Sequence, residues 1–337
     1  MAQTGKKRVA LALSSGGPRG FAYIGALEVL QERGYEVTSV AGTSIGALVG
    51  GVYAAGHLAE FKGWLLSLDS WKVFSLMDFS ISMSHLVKGN KIIESMRRIV
   101  PDVNIEDMSK HFAAIATNLY TGEEVLFEKG NLFSAIRASM SIPSLFKPVP
   151  YGNTVLIDGH SSNCLPLNRV QRKRGDILIG FDTNYFDVQG ILNTLEDIEQ
   201  KRAEYERLRL AKEAEVDAEV ENIKENPTTS IWRKLMEYGS LRMEARREVR
   251  SFRETHIDTL PDTEWESNYY GLIDRTFSIM NQHNTRLMIE LCKPDILVQM
   301  PFDSYDDLSD YALGKEIIAK GRELMTKALD EYEAKQA

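Results

Sequence analysis

Val37-Thr38-Ser39-Val40-Ala41-Gly42-Thr43-Ser44-Ile45-Gly46-Ala47-Leu48-Val49-Gly50 runs from an apolar, β-branched segment through a glycine-flanked serine into small and aliphatic residues. Val37 to Ala41 predicts a buried strand, Gly42 to Gly46 a sharp turn and Ala47 to Ala55 a helix. The turn fits G-x-S-x-G, a pattern whose chemistry depends on this strand-to-helix context. A serine at the apex of such a turn sits in a strained backbone that lifts its Oγ clear of the sheet. Gly42 and Gly46 let the neighbouring elements approach closely. The helix N-terminus beneath adds a field that favours developing negative charge. The competing reading is an ordinary βα turn whose serine caps the helix.

Upstream, Val9 to Leu13 reads as another buried strand, closed by Gly16-Gly17-Pro18-Arg19-Gly20, with a helix over Phe21 to Arg33 carrying Ile24, Leu27 and Leu30 on one face. Strand, turn, helix, repeated, is a βαβα opening, which implies parallel strands and a right-handed crossover. A glycine-rich turn before a helix presents backbone N–H groups suited to a phosphate or an oxyanion. No Gly-Lys-Ser/Thr follows, and the first position of a G-x-G-x-x-G would be Ser15, so neither phosphate-loop pattern is complete. Pro18 has no N–H; for an oxyanion the natural donors are Gly17 and Arg19, with Gly16 as the alternative.

Downstream strand candidates are Phe112 to Thr117, Glu124 to Phe127, Thr154 to Ile157, Asp176 to Phe181 and Asp295 to Met300, with Leu313 to Tyr332 as a closing helix. The fold expected is a three-layer α/β/α sandwich around a mostly parallel sheet. Asp158-Gly159 ends the Thr154 strand. Asp-Gly alone is a common turn signal. Together with the glycine loop and Ser44 it supplies a third element, each at the C-terminal end of a strand, where open α/β sheets place their sites.

The chain has 337 residues, 43% hydrophobic and 26% charged, with a net charge of −8, an ordinary globular composition with no dense Lys/Arg block of the kind nucleic-acid binding requires. The acidic balance also argues against docking on anionic membranes as the main binding force. Cys164 and Cys292 show no metal or disulfide spacing, and His57, His85, His111, His256 and His283 show no metal-type spacing. The short apolar run at Val9 is not a signal-peptide core, which points to a reducing, cytoplasmic compartment. Ile191 to Glu225 holds 11 acidic and 6 basic residues around a heptad-like apolar stripe. Asn226 to Ser230 reads as a turn, and Ile231 to Thr255 as a basic helix with Arg242, Arg246, Arg247, Arg250 and Arg253. That predicts a charged helical hairpin projecting from the sandwich, a solvated stalk or a contact between copies, with a mobile lid over the active site as the lesser alternative. The apolar stretch Phe61 to Val87, including Trp64, Trp71, Phe74, Leu76, Met77, Phe79 and Leu86, is expected to pack on the sheet or line an acyl-chain groove.

The motifs taken together resemble the bacterial patatin-like phospholipase family. Leu11 to Gly20 resembles its oxyanion segment, Ala41 to Ala47 its nucleophile elbow, Ile136-Arg137-Ala138-Ser139-Met140-Ser141-Ile142-Pro143 a segment near its active site, and Leu156-Ile157-Asp158-Gly159 its aspartate motif. The resemblance implies a Ser–Asp dyad acting on lipid carboxylic esters without metal or organic cofactor. Ser44 would be the nucleophile, Asp158 a buried base with no intervening histidine, and Gly16, Gly17 and Arg19 the oxyanion hole. Gly20, Gly42, Gly46 and Gly159 would support the motifs. Two positions depart from the family pattern: Ser15 replaces a third glycine, and His160 replaces the Gly or Ala that usually follows Asp-Gly. The resemblance divides the chain into a catalytic part over 7–190, the insertion over 191–255 and a completing α/β part over 256–337. The partners implied are a lipid or other ester substrate, peripheral membrane contact and a homo-oligomer through the hairpin. Two rivals remain. A Ser–His–Asp α/β-hydrolase would recruit His256 or His283, and a non-catalytic scaffold would keep the fold while its hairpin binds partners.

Overall fold

Strand β1 (Lys7–Leu13) sorts its side chains by size, Val9, Leu11 and Leu13 entering one core and Ala10 and Ala12 the opposite one. That sorting follows from the two-residue period of a strand, and it distinguishes the two faces of the sheet. The computed structural model describes residues 7–68, 72, 85–87, 89–225, 231–257, 269–305 and 310–336. The strands are β1, β2 (Tyr35–Thr43), β3 (His85–Val87), β4 (His111–Asn118), β5 (Glu124–Phe127), β6 (Ser144–Phe146), β7 (Val149–Tyr151), β8 (Thr154–Asp158), β9 (Ile177–Tyr185) and β10 (Ile296–Pro301). The main sheet runs β10-β9-β1-β2-β4-β8-β7, with β5 also on β4, and β3 pairs with β6 apart from it. The β10/β9, β9/β1, β1/β2 and β2/β4 pairs are parallel; β4/β5, β4/β8 and β8/β7 are antiparallel.

The helices are α1 (Ala22–Glu32), α2 (Ile45–Ala54), α3 (Leu58–Leu66), α4 (Asn90–Arg97), α5 (Leu132–Ser139), α6 (Val188–Glu225), α7 (Ile231–Phe252), α8 (Tyr269–Cys292) and α9 (Gly314–Gln336). On the large-residue face, Ile24 and Leu27 of α1, Val49 and Val52 of α2, Ile136 of α5 and Ile317 and Met325 of α9 join one core. On the alanine face, Leu165, Leu167 and Val170 pack on Ala10, Ala12, Ala41 and Ala113, with Met288 and Ile289 of α8 at the margin. Small side chains there let an irregular segment lie close against the strands. The result is helices, sheet, and a second covering layer: the three-layer α/β arrangement.

Contacts divide the chain into two compact units, Met1–Phe186 with Asp274–Ala337, and Asp187–Ile273. The second unit contains α6 and α7, whose apolar burial is thin: Ile198 and Val216 are buried while Leu195, Leu210 and Met243 are exposed. Ion pairs lace it, including Lys201–Asp197 at 2.6 Å and Arg209–Glu206 at 2.8 Å within α6, and Lys212–Glu248 at 2.8 Å between the two helices. The turn expected at Asn226 to Ser230 lies outside the described residues. In the apolar stretch, Phe61 and Leu65 are buried and Trp64 packs on the core, as sheet packing requires, whereas Leu66 is exposed. Trp71, Phe74, Leu76, Met77, Phe79 and the Leu86 side chain lie outside the described residues.

Candidate active site

Ser44 caps the join between β2 and α2 with φ 56° and ψ −120°, a left-handed backbone that an L-residue adopts only when its surroundings impose it. The imposition comes from two glycines. A side chain at Gly42 would run into the carbonyl of Gly46, and one at Gly46 into the carbonyls of Leu13 and Ser14. Their bare backbones let α2 start directly against the ends of β1 and β2. No side chain caps α2; Ser44 instead donates its own N–H to Ser139 Oγ at 2.8 Å, and its hydroxyl points elsewhere. The helix-cap reading of the motif therefore does not hold.

The Ser44 hydroxyl donates to Asp158 Oδ2 at 2.6 Å. Asp158 reaches that position by a route the sequence does not reveal. Its strand β8 runs antiparallel to β4 and pairs only with the end of it, Ala116 with Asp158, Thr117 with Ile157 and Asn118 with Leu156. In the neighbouring ladder Thr43 pairs with Ile115. Asp158 thus falls one step past Thr43, level with Ser44, at the C-terminal edge of the parallel strands. Gly159 then turns the chain flat against β4, where a side chain would strike the Ile115 carbonyl. The Asp158 N–H donates to the Ser141 carbonyl at 2.9 Å, and its Oδ1 accepts from the His160 N–H at 2.8 Å. Burial pushes the Asp158 carboxyl up to about 6, against the opposing pull of its hydrogen bond from Ser44 and the nearby His160.

The glycine loop lies between β1 and α1. Gly16 has φ 153° and Gly17 φ 52°, and a side chain on Gly16 would collide with Thr183 Oγ1. Gly17 opens a 3₁₀ turn, Gly17–Phe21, whose Gly20 presses on Ile45 with no room for a side chain. Within that turn the Arg19 N–H donates to the Gly16 carbonyl at 3.1 Å. Of the donors expected from sequence, Gly17 and Arg19 with Gly16 as the alternative, the Arg19 amide is thus engaged inside the turn. The Arg19 side chain has a separate task. Only 2% exposed, it donates from Nε to the Thr183 carbonyl at 3.0 Å and from Nη1 to the Tyr305 carbonyl at 2.9 Å, with its guanidinium 4.8 Å above the Phe302 ring. That anchors the loop to the end of β9.

A further buried carboxyl, Asp182, sits on β9 with Oδ1 accepting from the Asn184 N–H at 2.9 Å and Oδ2 without a hydrogen-bond partner among the described residues; burial pushes it up to about 6 as well. Cys164 and Cys292 are both free thiols, and burial raises Cys164 to about 12. Among the described residues no group of three or more His, Cys, Asp or Glu side chains could hold a metal ion. Of the histidines a triad would need, His283 lies exposed on α8, and His256 lies exposed beside Phe252, its ring stacked there at 4.3 Å. Ser44 meets its carboxylate with no imidazole between them. Sequence reasoning marked Ile136 to Pro143 without assigning it a task; Ser139 and Ser141 in it hold the Ser44 and Asp158 amides.

A model of the family described as Patatin-like phospholipase matches residues 11–168, a span that contains the glycine loop, Ser44 and Asp158. Residues 11–168 are a patatin-like phospholipase domain. An uncharacterized NTE family protein of Mycobacterium tuberculosis is 42% identical over 177 residues, 52% of this chain and 49% of its own length. Another from the same organism is 29% identical over 167 residues, 48% and 28% of the two chains. Lysophospholipase NTE1 of Debaryomyces hansenii is 28% identical over 190 residues, 55% of this chain and 12% of that protein. The chain thus spans about half the length of the first relatives it matches, 49%, and far less of the yeast one. Among solved structures, VipD from Legionella pneumophila aligns with a TM-score of 0.40 at 13% identity, covering 97% of this chain and 67% of that one.

Proposed function

We propose that this protein hydrolyses carboxylic esters of lipids through a Ser44–Asp158 dyad. The observation that carries the reading is the 2.6 Å hydrogen bond from a strained, buried serine to a buried carboxylate whose affinity for a proton is raised to about 6. Ser44 Oγ attacks the ester carbonyl carbon as its proton passes to Asp158 Oδ2. The carbonyl oxygen becomes an oxyanion facing the Gly16 and Gly17 N–H groups at the start of the 3₁₀ turn. Collapse of this intermediate breaks the ester C–O bond, and the leaving alcohol takes the proton from Asp158. Water then repeats the sequence on the acyl-serine and frees the acid. A carboxylate at the ordinary value would be a weak base for this step; one raised toward neutrality by burial is better matched to it.

The lysophospholipase relative makes a lysophospholipid the first substrate to test. No helix among the described residues is long and apolar enough to cross a membrane, and we place substrate capture at a peripheral contact with lipid. The two free thiols agree with a reducing, cytoplasmic setting. The charged unit over 187–273 is read as an insertion in the catalytic fold that pairs copies of the chain, a point sedimentation velocity would decide. For the activity, release of fatty acid from lysophosphatidylcholine should be measured against Ser44→Ala as the blank. Equal release by both proteins would remove the reading.

A further inference from the structure

Ser15 and His160 stand 145 residues apart in sequence, and the fold brings them into a hydrogen bond between Ser15 Oγ and His160 Nδ1. Neither side chain alone provides the bond: a glycine at 15 would have no hydroxyl, and a glycine at 160 no ring. We propose that the Ser15–His160 bond is a strut that sets the distance between the oxyanion loop and the Ser44–Asp158 pair. Both are then positioning residues for the reaction, an inference that rests on the dyad reading above.

His160 has hold of both halves of the site. Its backbone N–H donates to Asp158 Oδ1 at 2.8 Å while Asp158 Oδ2 accepts the Ser44 hydroxyl at 2.6 Å. Its ring reaches Ser15, the residue directly before the two candidate oxyanion donors. Ser15 itself is 4% exposed and firmly held. Its N–H donates to the Cys164 carbonyl at 3.1 Å, and its carbonyl accepts from Thr183 Oγ1 at 2.8 Å, Asn184 Nδ2 at 2.6 Å and Ser14 Oγ at 2.8 Å. Its hydroxyl also lies 3.2 Å from Cys164 Sγ. The strut therefore joins the base to a piece of main chain fixed on β9.

Gly16 and Gly17 are held from their flanks, because they have no side chains of their own to hold. On the downstream flank Arg19 ties the loop to Thr183 and Tyr305. On the upstream flank Ser15 is the link that reaches the base. Removing it leaves the loop attached to β9 and releases it from Asp158, so transition-state alignment should suffer more than substrate binding. Small displacements of this kind act on turnover.

Turnover of a short-chain p-nitrophenyl ester tests this in the intact protein, with Ser15→Gly, His160→Gly and the double variant. Each single change should lower kcat about tenfold with KM within about twofold, and the double should lose about tenfold, not the hundredfold product, because both remove the same bond. His160→Asn keeps a hydrogen-bonding atom near the Nδ1 position and should remain within about threefold of wild type, whereas His160→Leu should fall with His160→Gly. A hundredfold loss in the double variant, a loss confined to KM, or equal activity of the Asn and Leu variants would overturn the strut. If the wild type cleaves no ester, the dyad reading fails and the bond remains testable. The His160 ring nitrogen shifts of wild type and Ser15→Gly should then differ at Nδ1, and identical spectra would overturn the proposal.

Discussion

The turn around Ser44 and the helices α6 and α7 are built on opposite terms. At the turn, backbone meets backbone: Gly46 lies against the carbonyls of Leu13 and Ser14, Gly159 against that of Ile115, and the Ser44 and Asp158 amides each have a fixed acceptor. In α6 and α7, contact is made by long charged side chains such as the half-buried Lys212 and the exposed Glu248. Close approach of backbones leaves no freedom to substitute and can hold a serine at φ 56°. Exposed ion pairs tolerate substitution and hold little in place. The same residue type should accordingly behave in opposite ways in the two regions.

The largest contrast is in chemistry. Ser44→Ala should lower ester hydrolysis by at least about a thousandfold with the fold retained by circular dichroism, and Asp158→Asn nearly as far, since an amide cannot take the serine proton. Substantial activity in Asp158→Asn would point to a base other than Asp158. Next come two Gly→Ala changes measured side by side by denaturant unfolding. Gly46→Ala should cost about 3 kcal/mol or more, as overpacking against two carbonyls has no soft neighbour to move. Gly239→Ala in α7, with nothing within 4 Å of the new methyl, should stabilise by about 0.5–1 kcal/mol through helix propensity. Equal effects would erase the distinction between the regions.

Acidity gives a smaller and separable signal. The Asp158 carboxyl holds its proton more tightly in the folded state, about 6 against an ordinary 3.8. Its contribution to stability is therefore complete below 3.8 and is lost as pH rises through about 6. Asp158→Asn should raise the melting temperature by about 2–4 °C at pH 8 and leave it unchanged near pH 4. Activity runs the other way, since the base must be ionised: kcat should fall as pH drops through about 6. A flat profile across that range would separate Asp158 from the proton transfer. At the small end, Lys212→Ala should change stability by less than about 1 kcal/mol although it breaks pairs with both Glu215 and Glu248.

Periodicity made much of the larger unit legible. β1, β2, α1 and α2 appear within a few residues of the expected spans, and Glu124–Phe127 is a strand as read. What escaped the sequence has physical reasons. A short strand looks the same whichever way its neighbour runs, so nothing in Thr154 to Asp158 announces that it is antiparallel to β4. A tight turn reveals which amides it engages only once folded, so the bond from the Arg19 N–H to the Gly16 carbonyl was not legible. α8 had no distinct reading because it reverses the usual pattern: Ser278, Asn281, Gln282 and Thr285 are buried while Phe277, Met280, Leu287 and Leu291 are exposed. β7 (Val149–Tyr151) carries a proline at its centre and is too short for alternation to register. Ser139 and Ser141 lacked any motif chemistry of their own, since their role is to receive the amides of residues whose motifs lie elsewhere.

The dyad account is tested most directly by reacting the purified protein with a fluorophosphonate and locating the adduct by peptide mass mapping. The account predicts one adduct, on Ser44, that is lost in Ser44→Ala and strongly slowed in Asp158→Asn. An adduct on any other residue, or labelling of Ser44 at an undiminished rate in Asp158→Asn, would contradict it.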